Sequence, residues 1–159
     1  MTHYAELLAI TNFSFLRGGS HPDEMVAQAA ALGLSAIGIA DRNSFAGAVR
    51  AHLAAREAGI KLLVGTRLVT TCGFELAAYP KNRTAYGRLT RMLTDANFRS
   101  KKGECDLWIE EIIDASQDQL FILVPPDEAG QAWEDKAMDF VRRSRADSYT
   151  ALARRFDGG

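Results

Sequence analysis

Several chemistries are missing from this sequence, and each absence narrows what the chain can be. Cysteine is scarce: Cys72 and Cys105 are the only two among 159 residues, and they stand far apart. They make no CxxC pair, so a zinc signature and a disulfide framework both fall away, and a reducing, cytoplasmic compartment is the expectation. Histidine is equally sparse. His3, His21 and His52 share no ligand spacing such as HxxxH, so His21 reads as a cap or loop contact and His52 as a surface or packing residue. No apolar run reaches 18 residues, and the N-terminus lacks a basic segment leading into an apolar one. The expected protein is neither membrane-spanning nor exported. Neither sign of charge is in excess, the net being -1. The chain as a whole carries no electrostatic footprint for nucleic acid, although a local basic patch stays open. No Gly-Lys-Ser/Thr follows Gly18-Gly19, so there is no P-loop. Ser14 and Ser44 have no histidine partner in a nucleophile motif. Internal repeats and low-complexity segments are absent.

What is present is an ordinary globular composition, 47% hydrophobic and 25% charged, enough for one domain with a real core over residues 1–159. Residues 4–10 read as a strand, and a loop with Phe13, Phe15 and Gly18-Gly19 follows. Pro22 with Asp23 and Glu24 starts a helix that Gly33 stops. Residues 35–41 form a second strand ending in Asp41, 45–58 a helix, and 61–65 a third strand. This order predicts α/β architecture with parallel strands and right-handed crossovers. The rhythm then changes to a β-hairpin within residues 61–80, with Gly73 in its turn. Residues 84–96 read as a helix and 107–115 as a short helix capped by Asp106. A strand at 120–124, a helix at 129–143 and a last strand at 149–153 complete the pattern. A chain stopping after a strand suggests an exposed sheet edge, which invites pairing with a second copy.

Asn12-Phe13-Ser14-Phe15-Leu16-Arg17-Gly18, followed by Ser20-His21-Pro22, resembles the start of the PHP (polymerase and histidinol phosphatase) domain of bacterial C-family DNA polymerase III α subunits, best of all the error-prone type. Ile39-Ala40-Asp41, Phe45-Ala46-Gly47-Ala48-Val49-Arg50-Ala51, Val64-Gly65, Pro80-Lys81-Asn82, the run from Tyr86 to Thr94 and Lys101-Lys102-Gly103-Glu104 agree in order and spacing. The likeness is clear over residues 4–126 and weaker beyond. It implies a distorted (β/α)7 barrel, incomplete in this chain, with the last metal-ligand segment falling after residue 159. It also implies a cleft at the strand ends that holds up to three metal ions in metal-binding members. The implied partner is a polymerase module acting in DNA replication, repair and translesion synthesis, so that DNA is met only indirectly.

The ligand positions that the resemblance implies are mostly changed here. Leu8 and Ile10 stand where the family has a His-x-His pair. Arg17 replaces an Asp, Arg42 a His, and Arg67 a Glu, while Glu75 stands where a His is found. Asp41 and Glu75 alone remain as vestigial ligands. A catalytic metal needs about three or four neutral or anionic ligands, and guanidiniums beside it would repel it by on the order of several kcal/mol. Zinc or manganese is therefore not expected, unless the site is retained in another form. Two readings of Glu6, Arg17, Asp41, Arg42, Arg67 and Glu75 stay open: a salt-bridged former active site, or an arginine cluster that binds an anion. Phe13 and Phe15 read as packing across the barrel end rather than as stacking platforms. The basic run Arg99 to Lys102, with Arg83, Arg88 and Arg91, is a solvated face or a phosphate track. The resulting expectation is a degenerate, structural PHP domain without catalytic residues of its own. The alternatives are a metal-dependent phosphoesterase or 3′-5′ exonuclease, and a stand-alone binding protein.

Overall fold

The computed structural model describes residues 4–152, so His3 and Ala153 lie outside the described residues. Strands and helices alternate in the first half of the chain: β1 (Ala5–Ala9), α1 (Pro22–Ala31), β2 (Ala36–Arg42), α2 (Ala48–Ala58) and β3 (Lys61–Val69). Then follow β4 (Glu75–Pro80), α3 (Arg83–Arg99), α4 (Ile109–Asp114), β5 (Gln119–Val124), α5 (Gln131–Arg143) and β6 (Asp147–Thr150). The six strands form one sheet whose spatial order is the chain order. β1, β2 and β3 run parallel, β4 is antiparallel to both β3 and β5, and β6 is parallel to β5. This is the α/β half-barrel expected, with the hairpin where the sequence placed it.

Local chemistry accounts for most element ends. Pro22 opens α1, and the His21 amide donates to Glu24 Oε2 at 2.8 Å. Gly33 (φ 69°) and Gly59 (φ 67°) take the left-handed conformation that closes α1 and α2. Asn82 caps α3 by accepting from the Ala85 amide at 2.8 Å. Several boundaries differ from expectation, three of them for a visible local reason. α2 begins at Ala48, because Phe45 to Gly47 make a turn in which the Phe45 carbonyl accepts from the Ala48 amide. α4 is capped at Trp108 rather than Asp106, whose amide is engaged by Ser100 Oγ at 2.7 Å. β6 starts two residues earlier than expected, where Asp147 meets Lys81.

Both faces of the sheet are covered, by different means. On one face, α1 and α2 pack Val26, Ala29, Ala51 and Ala55 against Ala9, Ile37 and Ile39. Farther along that layer, α3, α4 and α5 bring Leu89, Leu93, Ile112 and Phe140 onto Leu68, Leu76, Phe121 and Leu123. The opposite face holds Ala40, Ala77, Tyr79 and Ile122, with Leu7, Leu8, Leu63 and Leu120 beside them. Tyr79 is the largest side chain of that cluster. Its ring lies over Gly65, and its hydroxyl passes Gly38 to donate to the Leu7 carbonyl on β1. A Cβ on Gly65 would stand 2.4 Å from the ring, and one on Gly38 would stand 2.5 Å from the hydroxyl oxygen. Both glycines are thus needed for close approach and not for a turn. That explains why β3 runs through Gly65 as one strand instead of stopping there. Burial first, and the Glu6 carboxylate second, push the Tyr79 phenol well above its ordinary range.

Candidate functional site

The loop from Ile10 to His21 joins β1 to α1 at the end of the sheet where Asp41 is the next-to-last residue of β2. Asp41 is 1% exposed, and every donor around it is neutral. The Thr11 amide reaches Oδ1 at 2.8 Å, the Thr11 hydroxyl lies 3.0 and 2.9 Å from the two oxygens, and the Ser14 hydroxyl donates to Oδ1 at 2.8 Å. Ser14 Oγ in turn accepts from the Arg42 amide at 2.9 Å. Two glycines make room for this knot. A Cβ on Gly47 would fall 2.6 Å from Asp41 Oδ2, and one on Gly18 would fall 2.2 Å from the Thr11 carbonyl oxygen. Asn12 and Gly18 backbone amides close the loop onto Ser20 and Ser14 carbonyls, and His21 Nδ1 lies 2.9 Å from the Asn12 side-chain Nδ2. His52 is exposed on α2.

The other retained carboxylate has a different neighbourhood. Glu75, at the start of β4, meets Arg67 of β3 through Nε at 2.9 Å and Nη2 at 2.7 Å, with the two side chains 23% and 21% exposed. Both nitrogens face the same oxygen, Oε2, so the pair is held at one carboxylate oxygen and is not the two-oxygen fork. Glu6 accepts from the Leu8 amide at 2.8 Å and the Tyr4 hydroxyl at 3.0 Å, so it serves its own strand. Leu8 belongs to the apolar face beside Tyr79, and Ile10 is half-buried.

These contacts correct two expectations. Of Arg17, Arg42 and Arg67, only Arg67 pairs with a carboxylate among the described residues. Asp41 is enclosed by hydroxyls and an amide before any guanidinium can reach it, and Arg17 and Arg42 have no ion-pair partner among the described residues. The structure sets Arg42 beside Arg67 in the β2–β3 ladder and pairs Arg67 with Glu75, but among the described residues no ion pair joins Glu6, Arg17 or Asp41 to them. Phe13 and Phe15 are not packed across the barrel end either; they are 42% and 85% exposed. The hydrogen-bonded loop turns them outward, with Leu16 at φ 61° beside them.

A wide cleft of about 1140 Å³ opens between this loop and the segment joining α3 to α4. Arg17 and Phe15 stand on one wall, Arg42 and Ser44 line its base, and Glu104 and Asp106 stand on the far wall. Beside that far wall the Thr71 amide donates to the Leu107 carbonyl, joining the α3–α4 segment to the β3–β4 turn. The nearby basic residues are partly spoken for. Arg88 pairs with Asp118, and Arg99 pairs with Glu111 and lies 4.1 Å from the Trp108 ring centroid.

The donors present do not fit the divalent metal centre that the resemblance implies. Asp41 is saturated by hydrogen bonds, and Glu75 is engaged by a guanidinium. Among the described residues no three His, Cys, Asp or Glu side chains are grouped to hold a metal. Among them, too, no helix is long and apolar enough to cross a membrane.

Comparison with known proteins places this architecture. The error-prone DNA polymerase of Caulobacter vibrioides is 47% identical over 154 residues, covering 96% of this chain and 14% of that protein. The error-prone DNA polymerase of Bradyrhizobium sp. is 50% identical over 133 residues, covering 77% of this chain and 11% of that one. The chain thus spans about a seventh or less of these relatives' length. Among solved structures, an amidohydrolase from Chromobacterium violaceum with bound sulfate and no metal superposes with a TM-score of 0.71 at 14% identity, over 91% of this chain and 75% of that one. A protein from Bifidobacterium adolescentis, provisionally described as a metal-dependent phosphoesterase, also gives 0.71, at 16% identity over 94% and 77%. At such identities the likeness concerns the fold. The PHP domain profile matches residues 7–154, and the chain belongs to the PHP domain family.

Proposed function

We propose that this chain is the PHP module of an error-prone DNA polymerase and that it has no phosphoester chemistry of its own. Its role is to support a polymerase module that performs nucleotidyl transfer in replication, repair and translesion synthesis in the cytoplasm. The observation that carries the reading is the Arg67–Glu75 pair: a guanidinium occupies a position where the family resemblance calls for a ligand, and it engages one of the two carboxylates left. A cation entering there would have to break that ion pair and face the arginine charge. The remainder of the polymerase is the partner, and DNA is reached chiefly through it. β1 and β6 each have one neighbour among the described strands. An isolated chain should therefore self-associate through an edge, and a monomeric mass in light scattering would count against that part.

The test is hydrolysis of bis(4-nitrophenyl) phosphate by the purified chain with added Mn²⁺ or Zn²⁺. The reading expects no rate above that of the metal alone. Metal-dependent turnover that Glu75→Gln abolishes would instead establish a retained phosphoesterase, the second reading that the fold permits.

A further inference from the structure

We infer that Cys72 and Lys136 form a peroxide-driven covalent switch, in which oxidation joins the sulfur to the lysine nitrogen and ties the β3–β4 turn to α5. The placement of the two groups carries this. Lys136 Nζ lies 3.6 Å from Cys72 Sγ, across 64 residues of chain. Neither group is committed elsewhere. Cys72 is a free, exposed thiol, and the exposed Lys136 has no carboxylate partner among the described residues. Each end of the pair is held in place. On the turn, the Thr70 hydroxyl accepts from the Phe74 amide at 3.0 Å, the Gly73 amide donates to the Thr70 carbonyl, and Gly73 sits at φ 77°. On α5, the spacing of Trp133, Lys136, Ala137 and Phe140 sets them on one helix face. Trp133 and Phe140 both pack on Phe74, with ring centroids 6.3 and 5.5 Å away. Phe74 is buried two residues beyond Cys72, so the packing that docks α5 also aims Lys136 at the thiol.

The surroundings also favour the reactive form of the sulfur. Burial pushes the Cys72 thiol up, but hydrogen bonds with the Thr70 hydroxyl and the Phe74 amide, together with the Lys136 charge, outweigh it and bring the thiol below its ordinary range. Cys105 is the opposite case, pushed up by its burial. The chemistry runs in two steps. The Cys72 thiolate attacks one oxygen of hydrogen peroxide; the S–O bond forms, the O–O bond breaks, and sulfur gives up the two electrons that reduce the peroxide. The departing hydroxide takes up the proton the thiol released and leaves as water. Lys136, having passed its ammonium proton to solvent, then attacks the sulfenic sulfur with its nitrogen lone pair. The S–N bond forms as the S–O bond breaks, and the second hydroxide leaves as water with a proton from the nitrogen. Thiol, amine and peroxide thus become a sulfenamide and two waters, and the chain loses two hydrogens. Two molecules of a thiol reductant reverse the bridge and leave as their own disulfide. The switch acts on the turn that leads into Glu75 at the start of β4, and it requires neither a metal nor the structural role proposed above.

The experiment exposes the folded chain to hydrogen peroxide and reads its intact mass, its cross-linked proteolytic peptides and its thermal midpoint. The parent should lose two hydrogens, with Cys72 and Lys136 in one linked peptide, and dithiothreitol should restore the starting mass. Cys105→Ser should behave as the parent does, which separates this bridge from a Cys72–Cys105 disulfide of the same mass change. Lys136→Gln should instead gain oxygen on Cys72 and form no link. Closing a loop of 64 residues should raise the thermal midpoint of the oxidised parent and leave that of oxidised Lys136→Gln unchanged. Lys136 is exposed, so its variant keeps the fold, and circular dichroism checks it. Oxygen gained on Cys72 of the parent without a link to Lys136 would overturn the inference. So would an unreacted Cys72, a Cys72–Cys105 disulfide, or the same loss of two hydrogens in Lys136→Gln.

Discussion

Asp41 and Glu75 are the two carboxylates that the family resemblance sets at metal-ligand positions, and the fold treats them oppositely. Asp41 is enclosed and receives hydrogen bonds from Thr11 and Ser14. Glu75 is partly solvated and meets one guanidinium. A buried carboxylate surrounded by neutral donors organises backbone: it fixes the loop, and through Ser14 it fixes the Arg42 amide. A partly exposed one paired with arginine balances charge. The lesson is that a carboxylate at the strand ends can serve architecture alone, so its presence is weak evidence for a metal.

Removing Asp41 should have the largest effect. Asp41→Ala leaves the Thr11 and Ser14 hydroxyls and an amide without their acceptor, and should cost about 3–5 kcal/mol, read as a lowered urea midpoint. A loss under about 1 kcal/mol would break the contrast with Glu75. Gly47→Ala intrudes on the same knot without touching its chemistry, because the new Cβ would fall 2.6 Å from Asp41 Oδ2. Overpacking of this kind should cost about 2 kcal/mol, and a neutral result would mean that the knot yields easily. Tyr79 ties the two regions together, since its hydroxyl bonds β1, which leads into the Asp41 loop, from β4, which begins at Glu75. Tyr79→Phe should cost about 1 kcal/mol at neutral pH.

The raised Tyr79 pKa adds a pH signature. In the unfolded chain the phenol ionises near its ordinary value of about 10, whereas in the folded chain it stays protonated to higher pH. The unfolded state thus binds fewer protons above that point, and stability falls as pH rises through it. Unfolding midpoints between pH 9 and 11 should fall more steeply for the parent than for Tyr79→Phe. Identical slopes would contradict the buried position of the hydroxyl. The smallest effect belongs to Glu75→Gln, at about 0.5–1 kcal/mol, which high salt should shrink further. A loss as large as that of Asp41→Ala would erase the difference between the two sites.

Much of this architecture was legible in the sequence, where local chemistry governed. Pro22 with Glu24 and Gly33 mark the ends of one helix by interactions within a few residues, and the structure uses them. The continuous β3 was not legible, because the reason for Gly65 is a ring from another strand. The site was legible as chemistry but not as geometry. Leu8, Ile10, Arg42 and Arg67 declare changed ligands by identity alone. Which arginine finds a carboxylate depends on register, which sets Arg67 beside Ala77 and so within reach of Glu75. The outward turn of Phe13 and Phe15 follows from the Asp41 knot, a contact made across 27 and 30 residues. The far wall of the cleft comes from a segment about 90 residues away in sequence, beyond any periodicity or spacing rule.

The central claim is that paired charge has replaced metal chemistry at the strand ends. Metal retention tests it most directly: the chain is incubated with Zn²⁺ and Mn²⁺, desalted, and its metal content is measured by inductively coupled plasma mass spectrometry beside Glu75→Gln. The account predicts that neither protein retains metal above the buffer blank. Stoichiometric metal on the parent, lost in Glu75→Gln, would contradict it.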